Sequence, residues 1–323
     1  MATAETYFDN SRLLQGFPVK RAAYSDRTAW LMAELARLAY ESFEKPDFIK
    51  QELDKAGFEL LRTFSKNDSD AFLAVRHGNN KSSEGMLVIA FRGTEMTAQD
   101  IHADIKADLV TARQPASGKV HRGFQDAFQE VQKDIQKELN KAKKEHPEYA
   151  VYITGHSLGG ALALLATKYL SDDSFGAAYT FGAPRAADDE FFKEIKTPVY
   201  RVANASDIVT RVPFGRGLSA ILSFIRLIPL NFTKNISEFL RKKMKGYTHY
   251  GAYVYLSPST EKEVDEAGIA HAKLKVLHSP NIFSVTSTSA TRWFDSKGHS
   301  GAEDHRMTEY SSKLKAHAQR RLW

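Results

Sequence analysis

Residues 149–170 read YAVYITGHSLGGALALLATKYL, and their periodicity changes in the middle. Residues 149–154 are a short β-branched and aromatic run, as in a buried strand. Residues 158–170 instead repeat apolar side chains at helical spacing, with no Gly or Pro after Gly160. Between the two lies Gly155-His156-Ser157-Leu158-Gly159, a G-x-S-x-G pattern. Its glycines let a strand and the helix it feeds approach closely, which leaves the serine exposed on a strained turn. Alone, the pattern arises by chance in roughly one chain of this length in ten. Its setting after a strand and before a helix gives it meaning and makes Ser157 the candidate nucleophile.

The 323 residues, 42% of them hydrophobic, suffice for one large core or two ordinary ones. The chain has no cysteine, which excludes a disulfide framework and a thiolate metal site. Paired-histidine metal motifs are absent as well, so neither metal nor cofactor is expected. The opening MATAETYFDNSRLLQGFPVK carries early acids and lacks an apolar h-region. That pattern predicts no Sec-type signal peptide, and hence a cytoplasmic chain or one exported without a cleavable signal. The longest apolar run, 218–230, is broken by Arg226 and Pro229 and is too short to span a bilayer, so a soluble protein is expected. The net charge is +6, and no nucleic-acid recognition motif accompanies it, so nucleic acid is not an expected partner.

Outward from the serine, the chain alternates strands and helices. An extended arm is expected over 1–24, then a helix from Ser25 or Asp26 and a shorter one from Pro46. Residues 58–64, 71–76 and 86–91 read as successive strands, the third almost wholly apolar and therefore central. It ends at Arg92-Gly93-Thr94-Glu95, where polar groups arrive at a strand's carboxyl end, the ligand-binding edge of open α/β sheets. A long helix over 121–144 precedes the serine strand. Strands over 177–181, 198–202 and 250–256 and a terminal helix over 304–321 follow, while 260–300 shows no single pattern. The rhythm predicts an α/β fold with a mainly parallel sheet and helices on both faces, as one domain over 25–323.

One stretch breaks this rhythm. Residues 213–246 hold two amphipathic helical patterns, with Leu218, Ile221, Leu222 and Ile225 on one face. Seven basic residues there stand against Glu238 alone, a net charge equal to that of the whole chain. Two readings fit: a cover for an apolar site that docks on anionic lipid, or a pair of ordinary packed helices with solvated lysines.

A serine hydroxyl is a poor nucleophile without a base in reach and a group that orients the base. In α/β-hydrolases these follow in the order Ser, Asp or Glu, His. Asp207 lies just past a predicted strand and begins a loop, whereas Asp188 and Asp189 sit at a predicted helix start. Asp207 is therefore the candidate acid. Of the histidines after it, His249, His271, His278, His299 and His305, the last stands just before or within the terminal helix, where a loop can return to the sheet's edge. His305 is the candidate base and His299 the near alternative. The oxyanion donors are expected at the Leu158 N–H, following the nucleophile, and at Thr94, on the earlier strand-end loop.

Several stretches in order resemble the class 3, fungal-type lipase family of the α/β-hydrolase fold. They are Phe91-Arg92-Gly93-Thr94, Val120-His121-Arg122-Gly123-Phe124, 155–163, 180–185, the Asp207 segment, 247–251, and Asp304-His305 followed by Tyr310. The resemblance covers about 25–312. It implies Ser157, Asp207 and His305 as a catalytic triad, Thr94 and Leu158 at the oxyanion hole, and structural roles for His121 and His249. It also implies hydrolysis of acylglycerol esters through an acyl-enzyme. A soluble esterase, a phospholipase A1 or a feruloyl-type esterase are the alternatives on the same fold, and a non-catalytic lipid-binding protein is the alternative outside it. The departures are the missing disulfides and signal peptide, a polar connection after Thr94 where relatives carry a lid, and the apolar, basic element at 213–246.

Overall fold

A computed structural model describes residues 6–15, 19, 22–41, 43, 46–67, 69–78, 85–93, 109–172, 175–207, 209–211, 246–258, 262–264, 270–272, 276–278 and 300–321. The described elements are, in chain order, α1 (Ser11–Leu14), α2 (Asp26–Leu38), α3 (Pro46–Lys55), β1 (Phe58–Lys66), β2 (Ser69–Arg76), β3 (Met86–Phe91), β4 (Leu109–Thr111) and β5 (Lys119–His121). The long helix α4 (Arg122–Glu145) leads into β6 (Ala150–His156), α5 (Leu158–Leu170), β7 (Phe175–Phe181), α6 (Asp189–Phe192) and β8 (Val199–Asn204). Last come β9 (Ala252–Leu256), β10 (Lys262–Val264), β11 (Ala270–Ala272), β12 (Val276–His278), α7 (Ser300–Glu303) and α8 (Met307–Arg320).

Eight strands form one sheet in the order β1-β2-β3-β6-β7-β8-β9-β12. The pairings from β3 through β9 are parallel, and those at both ends are antiparallel. The connections explain the difference. β1, β2 and β3 follow one another over short connections, so each reverses on its predecessor, while α4 and α5 supply the crossovers that parallel neighbours need. The chain from β3 onward thus follows the expected rhythm. The 260–300 region contributes β12 at the sheet's edge and the β10–β11 ribbon, too short to show a period in sequence.

Both faces of the sheet are covered, so its strands read as apolar runs. In β2, Phe72 and Ala74 point into one core with α2, α3 and α8, and Leu73 and Val75 into a second with α4 and α5. Helix α4 carries an apolar stripe: Phe124, Phe128, Val131, Ile135, Leu139 and Ala142 are buried at helical spacing. Its hydrophobic side faces the sheet and its Lys and Glu side faces water.

The first segment differs from the extended arm expected of it. Tyr7, Phe8, Leu13 and Leu14 are buried in the α2 core, and residues 11–14 form a helical turn. The cause is tertiary. Helix α2 buries Glu34 and Arg37, and a buried ion pair needs its remaining groups satisfied. Glu34 accepts from Phe8 N–H at 2.8 Å and from Arg37 at 2.9 Å, and Ser311 donates to it from α8. Arg37 in turn donates to the Thr6 carbonyl at 2.6 Å and stacks over the Tyr7 ring. Among the described residues no helix is long and apolar enough to cross a membrane.

Candidate active site

Strand β6 enters α5 through Ser157, whose backbone has φ 56° and ψ −125°. For a residue with a side chain this conformation costs of order 1–3 kcal/mol and persists only where the surroundings impose it. Here the imposing contacts are visible. A Cβ on Gly155 would lie 2.2 Å from the Gly159 carbonyl oxygen, and one on Gly159 would lie 2.4 Å from that of Phe91. Strand and helix therefore touch backbone to backbone, and the turn is held from below by Ser157 N–H donating to the Phe181 carbonyl at 2.9 Å. Contrary to the exposed apex expected, Ser157 is fully buried in this structure.

Asp207 follows β8, and His305 stands in the turn between α7 and α8. The structure brings these two and Ser157 into one hydrogen-bonded series. His305 Nε2 lies 3.0 Å from Ser157 Oγ, and Nδ1 lies 3.0 Å from each oxygen of Asp207. A carboxylate can only accept, so Nδ1 carries the proton and Nε2 presents its lone pair to the serine O–H.

The Asp207 carboxylate is itself held. Oδ1 accepts from Val209 N–H at 2.9 Å, and Oδ2 accepts from the Tyr310 hydroxyl at 2.5 Å. The same hydroxyl oxygen accepts from Asn204 N–H at 2.9 Å. Burial, and then the neighbouring Asp207 charge, push the Tyr310 phenol up, so it remains a donor. Asp304 ties the base's turn to the acid's loop: its carboxylate accepts from Ser206 N–H at 2.9 Å, and its carbonyl from the Asn204 side chain at 2.9 Å.

The competing acid is used elsewhere. Asp188 caps α6, accepting from Phe191 N–H at 2.9 Å, and it also receives Lys119 N–H at 3.0 Å. Leu158 is the first residue of α5, so its N–H has no acceptor within the helix. Thr94, Leu218, Ile221, Leu222, Ile225 and His299 lie outside the described residues. The base of the Thr94 loop is described: Arg92 pairs with Asp70 at 2.9 Å and donates its own N–H to the Asp70 carbonyl. Among the described residues no cluster of His, Asp and Glu could hold a metal ion. Tyr310 entered the sequence reading only as part of a resemblance, and Asp70 and Asp304 carried no signal of their own, because what matters is a contact across the fold.

Three further histidines are held by hydrogen bonds near this frame, His121 and His156 buried and His249 half-buried. His121 caps α4 by accepting Phe124 N–H at 3.4 Å and stacks on that ring, while His249 Nε2–H donates to the Thr210 carbonyl at 2.6 Å. Desolvation lowers His121 to about 4 and holds His156 and His249 well below the ordinary imidazole value of 6.5. With folded values below unfolded ones, the unfolded chain binds more protons as pH falls, so this stability is complete above 6.5 and lost below it. For His121 the loss by pH 4 is on the order of 2–3 kcal/mol. The thermal midpoint is accordingly expected to drop between pH 6.5 and 4. His121→Asn keeps a capping acceptor and should flatten that drop; an identical pH dependence in the variant would assign the loss to other groups.

The class 3 lipase family model matches residues 88–217, which contain the β3 loop, the serine turn and Asp207. Over these residues the chain is similar to the class 3 lipases. A lipase from Rhizomucor miehei is 34% identical over 164 residues, 48% of this chain and 44% of that one. A secreted mono- and diacylglycerol lipase from Fusarium solani is 40% identical over 98 residues, 29% of each chain. The chain thus aligns with less than half the length of these curated relatives. In structure, a triacylglycerol lipase with a serine protease triad as its catalytic centre superposes with TM-score 0.56 and 26% identity, over 73% of this chain and 83% of that one. The Rhizomucor miehei triacylglyceride lipase superposes with TM-score 0.54 and 25% identity, over 72% and 81%. Likeness in structure therefore extends well beyond the aligned sequence, as the α/β-hydrolase sheet leads one to expect.

Proposed function

We propose that this chain is a class 3 lipase, an active serine carboxylic-ester hydrolase that cleaves acylglycerol esters through an acyl-enzyme. The observation that carries the reading is the Ser157–His305–Asp207 series, each link at 3.0 Å with the base's lone pair facing the nucleophile. In the first step His305 Nε2 takes the Ser157 proton as Oγ attacks the ester carbonyl, and the tetrahedral oxyanion is received by the Leu158 N–H and by Thr94. His305 then returns the proton to the leaving alcohol. A water molecule, deprotonated by the same imidazole, releases the acid in the second half. Asp207 keeps Nδ1 protonated and offsets the charge His305 gains.

Ser157 is buried in this structure. The apolar and basic stretch 213–246 supports peripheral contact with an anionic lipid interface, which belongs to the same proposal. The test is the hydrolysis rate of p-nitrophenyl esters from acetyl to palmitoyl, measured with and without anionic liposomes. A rate that peaks at medium or long chains and rises with liposomes is the expected result. A peak at acetyl would make the chain an esterase of small soluble esters, and no rate at any length would favour a lipid-binding protein.

A further inference from the structure

His156 immediately precedes the nucleophile, yet its imidazole takes no part in the series above. It is buried, and both ring nitrogens are engaged: Nε2 lies 2.7 Å from the His305 carbonyl oxygen, and Nδ1 lies 2.7 Å from the Tyr40 hydroxyl. A carbonyl oxygen only accepts, so Nε2 must carry the proton. Nδ1 is then a bare lone pair, and Tyr40 donates to it. Two partners from distant parts of the chain thus select one neutral tautomer.

We propose that His156 is a positioning residue for the base: its Nε2–H holds the His305 backbone, and Tyr40, by donating to Nδ1, keeps the imidazole in the one tautomer that can do so. The inference rests on the reading of Ser157, His305 and Asp207 as the reacting groups. Its physical content is a short closed path. His156 is covalently joined to Ser157 and hydrogen-bonded to the backbone of His305, whose ring returns to Ser157 Oγ at 3.0 Å. Asp304 anchors the same turn on the acid's side, and His156 anchors it on the nucleophile's side.

The neutrality of His156 also serves this role. Its ring centroid is 4.6 Å from that of His305, which becomes an imidazolium during the reaction. A second positive charge at that distance would oppose proton transfer from Ser157, whereas a neutral ring does not. Burial, followed by the proximity of His305, holds the His156 proton affinity down. Tyr40 is wedged at the same point. A Cβ on Gly93 would lie 2.1 Å from the Tyr40 hydroxyl and 2.5 Å from the His156 carbonyl oxygen. One hydroxyl therefore backs both the base's anchor and the strand end that leads to Thr94.

The test is steady-state hydrolysis of p-nitrophenyl butyrate by the full chain, with His156→Phe, His156→Gln, Tyr40→Phe and the double variant Tyr40→Phe/His156→Gln. Phe fills the ring's space but cannot donate. Its kcat is expected to fall about 10–100-fold with KM within about threefold, the signature of a displaced base. Gln carries an amide donor at the reach of Nε2 and is expected to recover kcat to within about fivefold of wild type. Tyr40→Phe is expected to cost about 3–10-fold alone and less than about twofold beside His156→Gln, where no tautomer needs selecting. Wild-type kcat in His156→Phe, or Gln as poor as Phe, would overturn the proposal. So would a Tyr40→Phe effect equal in both backgrounds. Should His156→Phe fail to fold, Tyr40→Phe, which removes a single hydroxyl, decides alone through the two backgrounds. A wild-type protein without esterase activity would instead overturn the hydrolase reading on which the inference stands.

Discussion

Ser157→Ala is expected to lower kcat for p-nitrophenyl butyrate by about 10⁶-fold while the protein stays folded. The reason is that Oγ is the atom proposed to form the acyl bond, and among the described residues it is the one hydroxyl that meets His305 Nε2. A water molecule taking its place would be neither covalently held nor aligned, so the two-step route through an acyl-enzyme closes. Stability should change little. The left-handed backbone at φ 56° is imposed by the contact of Gly155 with Gly159 and by the bond to Phe181, none of which uses the side chain. Alanine carries the same Cβ strain as serine and loses one hydrogen bond, so the thermal midpoint is expected within about 3 °C of wild type. The check pairs kinetics with labelling: an organophosphonate should add once to Ser157 of the wild type and not at all to the variant. A variant that kept more than about 1% of the rate would show that another group carries the reaction.

How this site is written in the sequence differs from residue to residue. The turn at Ser157 was legible because it is local: a strand period, a helix period and two glycines lie within one continuous stretch, and α5 begins and ends where the periodicity predicts. Asp207 and His305 were legible at one remove, through chain order and predicted strand ends. His305 lies in the turn before α8, not within it. The supporting shell was not legible, and the cause is sequence distance. Tyr40 carried no signal of its own, His156 was one position of the G-x-S-x-G turn, and Tyr310 entered only within a family resemblance. Their roles exist only because the sheet brings residues 116, 149 and 103 positions apart into contact. The opening segment shows the same limit. Tyr7, Phe8, Leu13 and Leu14 follow no strand or helix period, so nothing local distinguishes them from an arm. They are buried because Glu34 and Arg37 draw the backbone of Thr6 and Phe8 onto α2.

Asp207→Asn is expected to cost about 10⁴-fold in kcat, second only to loss of the nucleophile. Among the described residues the Asp207 carboxylate meets only donors: the Nδ1–H of His305, the Val209 N–H and the Tyr310 hydroxyl. A carboxylate meets them all with acceptor lone pairs, whereas an amide has one acceptor oxygen and one NH₂ group. With its oxygen kept for Val209, the amide sets its NH₂ about where Oδ2 lies, 3.0 Å from His305 Nδ1. Two donors then face one another. The imidazole relieves this by moving its proton to Nε2, where it points at Ser157 and can no longer accept the serine proton. Even in the fraction that keeps the correct tautomer, the imidazolium formed during attack lacks the negative charge opposite it. The volume hardly changes, so folding is retained and the thermal midpoint reports whether it is. If the variant is folded and kcat falls by less than about tenfold, orientation of His305 by its backbone anchors suffices, and the charge of Asp207 adds little to the reaction.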